Sequence, residues 1–339
     1  MNANRKPSAL ASTFADVFVR ELEDGQVVEQ VLLVREAQRR STRSGGDYLR
    51  LVLADRTGTL VAVLWDCPEE TFELAVVGVA VHVTGRFGVH ERYGPQLKLT
   101  AIRPAAPAEY DLADLLDGPS HDVERMERDL HELVGTIQSP HLRGLLDVLI
   151  GPDSELWPLF REAPAAKYYH QAYRHGLLEH CLGVAEAVSA TSATFPDVDR
   201  EIAVTGALLH DIGKLEAYAF EGAAIDMSDA GKLQGEIPLG YYRVRRAVEG
   251  LPGCPPALAE AILHIILSHH GALEHGSPVV PCTREATLVH MIDNLGGRLG
   301  SFDRLEKELP AGARWSGYDR ALDSSAYFAD RVTADRKAA

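Results

Sequence analysis

The sequence predicts an α+β multidomain chain, with a small five-stranded β-barrel at the N-terminus and an all-α domain after it. Three observations predict this. Residues 13–105 alternate apolar and polar positions in short runs separated by turn residues, the pattern of strands with one buried face. The Pro/Ala-rich segment PAAPAEYD (104–111) then ends the strand signals. From residue 165 to 305 apolar residues recur at helical spacing with few interruptions.

Residues 1–12 read as a mobile tail. The first strand is QVVEQVLLVREAQ, followed by the gap RRSTRSGG and the second strand DYLRLVLAD. A tight turn at RTG leads to the third, GTLVAVLWD. A polar connection of helical pattern, PEETFEL, precedes the fourth strand VAVHVTGRFGVH, and PQLKLTAIRP is the fifth. Five strands with a helix before the fourth fit an OB-fold barrel over residues 13–105. Residues 106–164 form a linker and helical connection, and 165–305 the main helical domain, punctuated by FPDVDRE, EGAAIDMSDAGK, EGLPGCPPA and EHGSPVVPCTRE. The extension 306–339 loses periodicity and is expected to end in a frayed tail.

Composition removes several function classes. No run approaches the roughly 20 apolar residues of a membrane span, so no membrane partner is expected. The start MNANRKPSALAST has no apolar stretch after its charges and does not read as a secretory signal. Cys67, Cys181, Cys254 and Cys282 lie far apart with no CxxC pair, which predicts free thiols and a cytoplasmic protein. A net charge of −15 argues against nonspecific coating of nucleic acid. Residues 13–105, however, hold 11 Lys/Arg against 13 Asp/Glu, so most of the excess negative charge lies elsewhere.

The chemistry concentrates in the helical half. His180 in GLLEHCLGVAEAV, His210-Asp211 in VTGALLHDIGK, His269-His270 in LSHHG and Asp293 in MIDNLGG each sit in a segment of helical apolar spacing. Any one of these histidines alone reads as a core residue. Together they give separate helices an imidazole or carboxylate on an otherwise apolar face, where such groups are costly unless paired or bound to a metal. Imidazole with carboxylate suits a divalent transition metal, and open coordination positions let the ion activate water. Lys214, just after the pair, can reach a bound phosphate and stabilise its developing charge; the plainer reading is a solvated lysine. His210, Asp211 and Lys214 are therefore the catalytic candidates. Gly213-Lys214 lacks the frame of a phosphate loop, and Ser268 beside His269 is no nucleophile–base pair.

In order and spacing, His180, His210-Asp211 and Asp293 resemble the H…HD…D signature of the HD phosphohydrolase superfamily, whose members are helical, bind divalent ions and cleave phosphate esters. With the barrel in front, the segments GTLVAVLWD, YYHQAYRHGLLEH, LLHDIGK, LSHHGALEHGSP and IDNL resemble the YhaM-type 3′–5′ exoribonuclease family over roughly residues 25–305. The resemblance implies a first ion on His180, His210, Asp211 and Asp293. It implies a second ion bridged by Asp211, with His269 and His270 as further ligands. It also implies a histidine after the LG of LQGEIPLGYY, where this chain has Tyr241, so either one or two ions remain open. Manganese is favoured; iron, nickel, cobalt and zinc are acceptable to such a site. A homo-oligomer is a further implication. Tyr241 joins His170 and His175, in a stretch with Tyr168, Tyr169 and Tyr173, as candidates for the substrate pocket.

OB barrels bind single strands by stacking bases on exposed aromatics beside positive charge. Tyr48 and Arg50 share one strand face, with Leu49, Leu51 and Leu53 on the other. Phe87 and Tyr93 lie near the next hairpin, and Arg39, Arg40 and Arg43 are expected in the loop after the first strand. Trp65 is expected in the barrel core or capping it. The leading reading is a metal-dependent 3′–5′ exonuclease of single-stranded nucleic acid, RNA favoured over DNA, hydrolysing with metal-activated water. Two rivals stand beside it: an HD phosphohydrolase of small nucleotides, and a single-strand-binding regulatory protein with a structural metal.

Overall fold

Alternating runs at the N-terminus become a closed barrel in the computed structural model, which describes residues 17–41, 45–65, 67–90, 94–115, 118–119, 121–167, 171–221, 224–309 and 313–329. The chain divides into two compact units, Met1–Leu116 and Asp117–Ala339. Strands β1 (Val27–Ser41), β2 (Asp47–Asp55), β3 (Gly58–Trp65), β4 (Ala80–His90) and β5 (Gly94–Pro104) close in the order β1-β2-β3-β5-β4, with helix α1 (Glu69–Leu74) between β3 and β4. Only β3 and β5 pair in parallel, through Ala62 with Leu97 and Val63 with Lys98.

Period-two alternation puts Leu32, Val34, Leu49, Leu51, Leu53, Leu60, Ala62, Val81, Val83, Leu97 and Leu99 inside. The first strand is longer than its hydrophobic run suggests. Cross-strand pairing continues through Arg39 with Leu49 and Arg40 with Tyr48 to Ser41 with Asp47, so Arg39 and Arg40 are strand residues rather than loop residues. A short helix, α2 (Leu112–Leu115), ends the barrel unit.

The second unit is helical: α3 (Val123–Gly135), α4 (Pro140–Ile150), α5 (Trp157–Glu162), α6 (Gly176–Ser192), α7 (Arg200–Leu209), α8 (Lys214–Ala217), α9 (Asp229–Gln234), α10 (Glu236–Glu249), α11 (Pro256–Ser268) and α12 (Arg284–Glu308). Side chains satisfy the amides that open several of these: Asp122 for α3, Asp199 for α7 and Thr283 for α12. One core joins α3, α4, α6, α7, α10, α11 and the first turns of α12, with Leu177, Leu178, Ala207, Leu208, Ile265, Ile266 and Val289 at or near full burial.

Two hairpins depart from the expected all-helical pattern. Strands β6 (Tyr218–Glu221) and β7 (Ala224–Met227) pair after the HD turn, too short for a period of two to register. Strands β8 (Trp315–Asp319) and β9 (Ser324–Tyr327) fold what was expected to be an aperiodic extension, and Leu322 and Ala326 pack with Leu305 of α12. Among the described residues no helix is long and apolar enough to cross a membrane.

Candidate metal centre and nucleic-acid interface

Four chain segments aim donor atoms at one buried point. Helix α6 carries His180, buried at 6% exposure. Helix α7 ends at Leu209, so His210 and Asp211 leave the helix in a turn that closes with Gly213 before α8. That turn is seated tightly: a β-carbon on Gly213 would lie 1.9 Å from the carbonyl oxygen of Glu236 and 2.5 Å from the nitrogen of Gly240, both in α10. Helix α11 ends at Ser268, leaving His269 at its cap and His270 after it. Gly271 then takes φ +80, and the His290 ring occupies the space where its β-carbon would be. Asp293 comes from α12, one turn beyond the buried Val289.

His180 Nε2 lies 3.1 Å from His210 Nε2, 3.2 Å from Asp211 Oδ2 and 3.2 Å from Asp293 Oδ1. His210 Nε2 is 3.3 Å from Asp211 Oδ2 and 3.9 Å from Asp293 Oδ1. His269 Nε2 lies 3.5 Å from the other oxygen, Asp211 Oδ1. The opposite ring nitrogens are all committed to acceptors. His180 Nδ1 faces the side-chain oxygen of Gln171 at 3.0 Å, His210 Nδ1 faces Ala207 O at 2.7 Å, and His269 Nδ1 faces Ile266 O at 2.8 Å. A nitrogen facing a carbonyl carries the hydrogen, which assigns each neutral ring its tautomer and leaves a lone pair on every Nε2.

With the three rings neutral, as metal-bound imidazoles are, the converging atoms are acceptors with no donor among themselves. Asp211 Oδ1 and His269 Nε2 are buried and have no hydrogen-bond partner among the described residues. Each such atom costs roughly 1–3 kcal/mol unless something electropositive meets it. Two overlapping sets, His180–His210–Asp211 and His210–His269–Asp293, hold ligand atoms within 4.8 Å of one another, the separation that a single ion spans. The donor set fits a divalent metal.

The electrostatics agree. Burial opposes a charge on His180, but Asp211 and Asp293 outweigh it and push its pKa up to about 9, so positive charge is favoured where those groups meet: a proton on His180 without an ion, and the ion in its place when bound. Burial would raise the Asp211 carboxyl, yet Lys214, His210 and His180 hold it well below the usual range, and His180 and His210 do the same for Asp293. Burial and the neighbouring His269 lower the His270 pKa. Lys214 Nζ bonds Asp211 Oδ2 at 2.6 Å, which keeps the partly buried ammonium charged. It is no solvated lysine.

Other expected site residues stand apart. His175 has φ 70 ahead of α6, and its Nδ1 faces Arg161 O at 2.7 Å, an anchor for the helix start. Tyr241 packs against the helical core with Arg245 as partner. Five residues on from Glu236, it points about 140° around α10 from it. Glu236 is the residue of α10 that reaches the cluster, its Oε1 3.6 Å from His270 Nε2. Sequence reasoning also missed Gln171, whose φ of 57 is unusual for a side chain and whose amide orients His180. A cavity of about 190 Å³ opens beside the cluster, lined by His269, His270, His275, His290, Asp293 and Asn294. His170 lies outside the described residues.

On the barrel, Arg40, Tyr48 and Trp65 are direct neighbours across β1, β2 and β3, so their side chains share one face. Tyr48 and Trp65 rings lie 4.5 Å apart at 32°, and Trp65 is 51% exposed. Trp65 is thus a surface aromatic rather than a core residue. Phe87 is the reverse, buried in the barrel core, because its partner across β5 is the inward Leu97. Arg39 is held by Asp47 and Glu69 over the Phe72 ring, and Arg50 lies 3.7 Å from Glu36. Arg43 and Tyr93 lie outside the described residues.

Comparison with known proteins gives these features a family. Residues 177–297 match the HD domain, and residues 31–105 match the OB-fold nucleic acid binding domain. The chain is 31% identical to the 3′-5′ exoribonuclease YhaM of Geobacillus sp. (strain WCH70), over 85% of this chain and 88% of that one. It is 27% identical to YhaM of Halalkalibacterium halodurans, over 90% and 93%, and 29% identical to YhaM of Bacillus subtilis (strain 168), over 85% and 90%. An OB barrel with a surface aromatic pair, an HD cluster built to hold a divalent ion and this similarity along most of the chain lead to one assignment: the chain belongs to the YhaM family of 3′-5′ exoribonucleases.

Proposed function

We propose that the protein removes nucleotides from the 3′ end of single-stranded RNA by hydrolysis, with manganese as the favoured ion. The observation that carries this is the convergence of metal-type ligand atoms from His180, His210, Asp211, His269 and Asp293, with Asp211 Oδ1 and His269 Nε2 left without a hydrogen-bond partner among the described residues. A divalent ion held there supplies a Lewis acid for a phosphoryl oxygen and lowers the pKa of a water.

The chain's own groups do the rest. Gln171 and the carbonyls of Ala207 and Ile266 hold three imidazoles in the tautomer that exposes Nε2. Lys214 spends one of its three donors on Asp211 and keeps a positive charge at the site, available to the phosphoryl oxygens as charge develops on them. The barrel binds the strand: Tyr48 and Trp65 offer a π surface to bases, and Arg40 in the same row offers charge to phosphate. A small-nucleotide phosphohydrolase leaves this surface without a use, which favours the polymer. RNA and free thiols both suit the cytoplasm.

The testing experiment is a comparison of end-labelled single-stranded RNA, single-stranded DNA and duplex with manganese. Faster shortening of single-stranded RNA supports the proposal. Equal rates on duplex, or cleavage only of free nucleotides, would refute it.

A further inference from the structure

His270 presents an arrangement that the first ion does not explain. Its Nδ1 faces His275 O at 2.9 Å, so in the neutral ring Nδ1 carries the hydrogen and Nε2 is a lone pair. That lone pair faces Glu236 Oε1 at 3.6 Å, also an acceptor. Two acceptors held face to face are reconciled either by a proton on the ring or by a metal cation bound to both. The contact is imposed by backbone packing. Gly213, two residues after Asp211, leaves no room for a β-carbon against Glu236 O and Gly240 N, so the HD turn and the first turn of α10 come as one piece. Gly271 against His290 fixes the other side, since His290 Nδ1 also bonds His269 O at 2.7 Å.

We propose that Glu236 is a metal ligand of this chain, holding with His270 a second divalent ion beside the first, on the side of the unpartnered Asp211 Oδ1 and His269 Nε2. The inference rests on the HD cluster being a metal centre, as argued above. A carboxylate at this position makes the second site anionic and harder than an all-imidazole one, which shifts its relative preference from zinc toward manganese or magnesium. Tyr241 takes no part in it.

The test is metal titration of the full chain, stripped with chelator, followed by calorimetry and by elemental analysis after gel filtration in manganese. Wild type should hold two ions, the second more loosely. Glu236→Gln, which keeps size and hydrogen bonding, should hold the first with unchanged affinity and weaken the second at least about tenfold. His270→Ala should lose the same ion, and circular dichroism should show both variants folded. Glu236→His should recover the second ion while shifting its preference from manganese toward zinc. The proposal is overturned if Glu236→Gln binds both ions as wild type does, which would make Glu236 only the partner of a protonated His270. It is equally overturned if wild type binds a single ion, an outcome that leaves the first site intact. Failure of the metal reading itself would look different: no ion held by wild type at all.

Discussion

Lys214 Nζ bonds Asp211 Oδ2 at 2.6 Å inside the helical unit, while the other oxygen of the same carboxylate faces only His269 Nε2. One side chain thus neutralises a partly buried lysine and offers an open position to a cation. Its removal has two separable consequences. Asp211→Ala should abolish metal binding and also leave a partly buried ammonium unpaired, costing roughly 1–3 kcal/mol of stability. His210→Ala should abolish metal binding at a smaller cost, because Lys214 and His180 still partner the buried carboxylates. Chemical denaturation of the two chelator-treated variants checks the difference; equal stabilities would place Lys214 in solvent.

The exposed pair on the barrel separates binding from folding. Tyr48→Ala and Trp65→Ala should each weaken binding of single-stranded RNA by about 1–3 kcal/mol while leaving thermal stability near wild type. Phe87→Ala should instead cost about 3–5 kcal/mol of barrel stability. Fluorescence anisotropy with a labelled oligonucleotide, beside thermal unfolding, reads both. Loss of stability without loss of affinity in the Trp65 variant would make the pair a structural cap.

Tyr241→His should leave metal stoichiometry and affinity unchanged, since that side chain packs on the helical core away from the cluster. Titration with manganese decides it. A lowered requirement for the metal in this variant would return Tyr241 to the site.

His175 gives a pH dependence away from the metal ligands. Burial lowers its pKa in the folded state, against a smaller opposing effect from the Arg161 carbonyl. The unfolded chain therefore takes up this proton more readily, so the stability associated with the neutral ring is present above the unfolded pKa of about 6.5 and is lost as pH falls below it. His175→Asn, which tolerates the left-handed backbone, should flatten that acid limb of the stability profile. An unchanged limb would mean that the loss belongs to other groups.

Most of the architecture was legible because it rests on period. Alternation gave the five strands and helical spacing gave the second unit, and both are decided by burial of side chains in the chain's own cores. The ligand residues were legible because imidazoles and carboxylates stand out on apolar helix faces. What was hidden depends on long-range placement. Glu236 reads as an ordinary acidic helix start until Gly213 packs against it. Trp65 and Phe87 exchange their expected roles because residue type does not say which face of a closing barrel a strand end presents. Gln171 carries no composition signal at all. Only its φ and its bond to His180 reveal it.

As proposed, hydrolysis proceeds from the 3′ end at the His180–His210–Asp211–Asp293 centre. The most direct measurement is a time course with 5′-labelled single-stranded RNA, run in manganese, in chelator, and with His210→Ala. The expected result is a ladder shortening from the 3′ end with nucleoside monophosphates as product, abolished by chelator and by the substitution. A ladder that persists in chelator or in His210→Ala, or products released from the 5′ end or from internal positions, would contradict it.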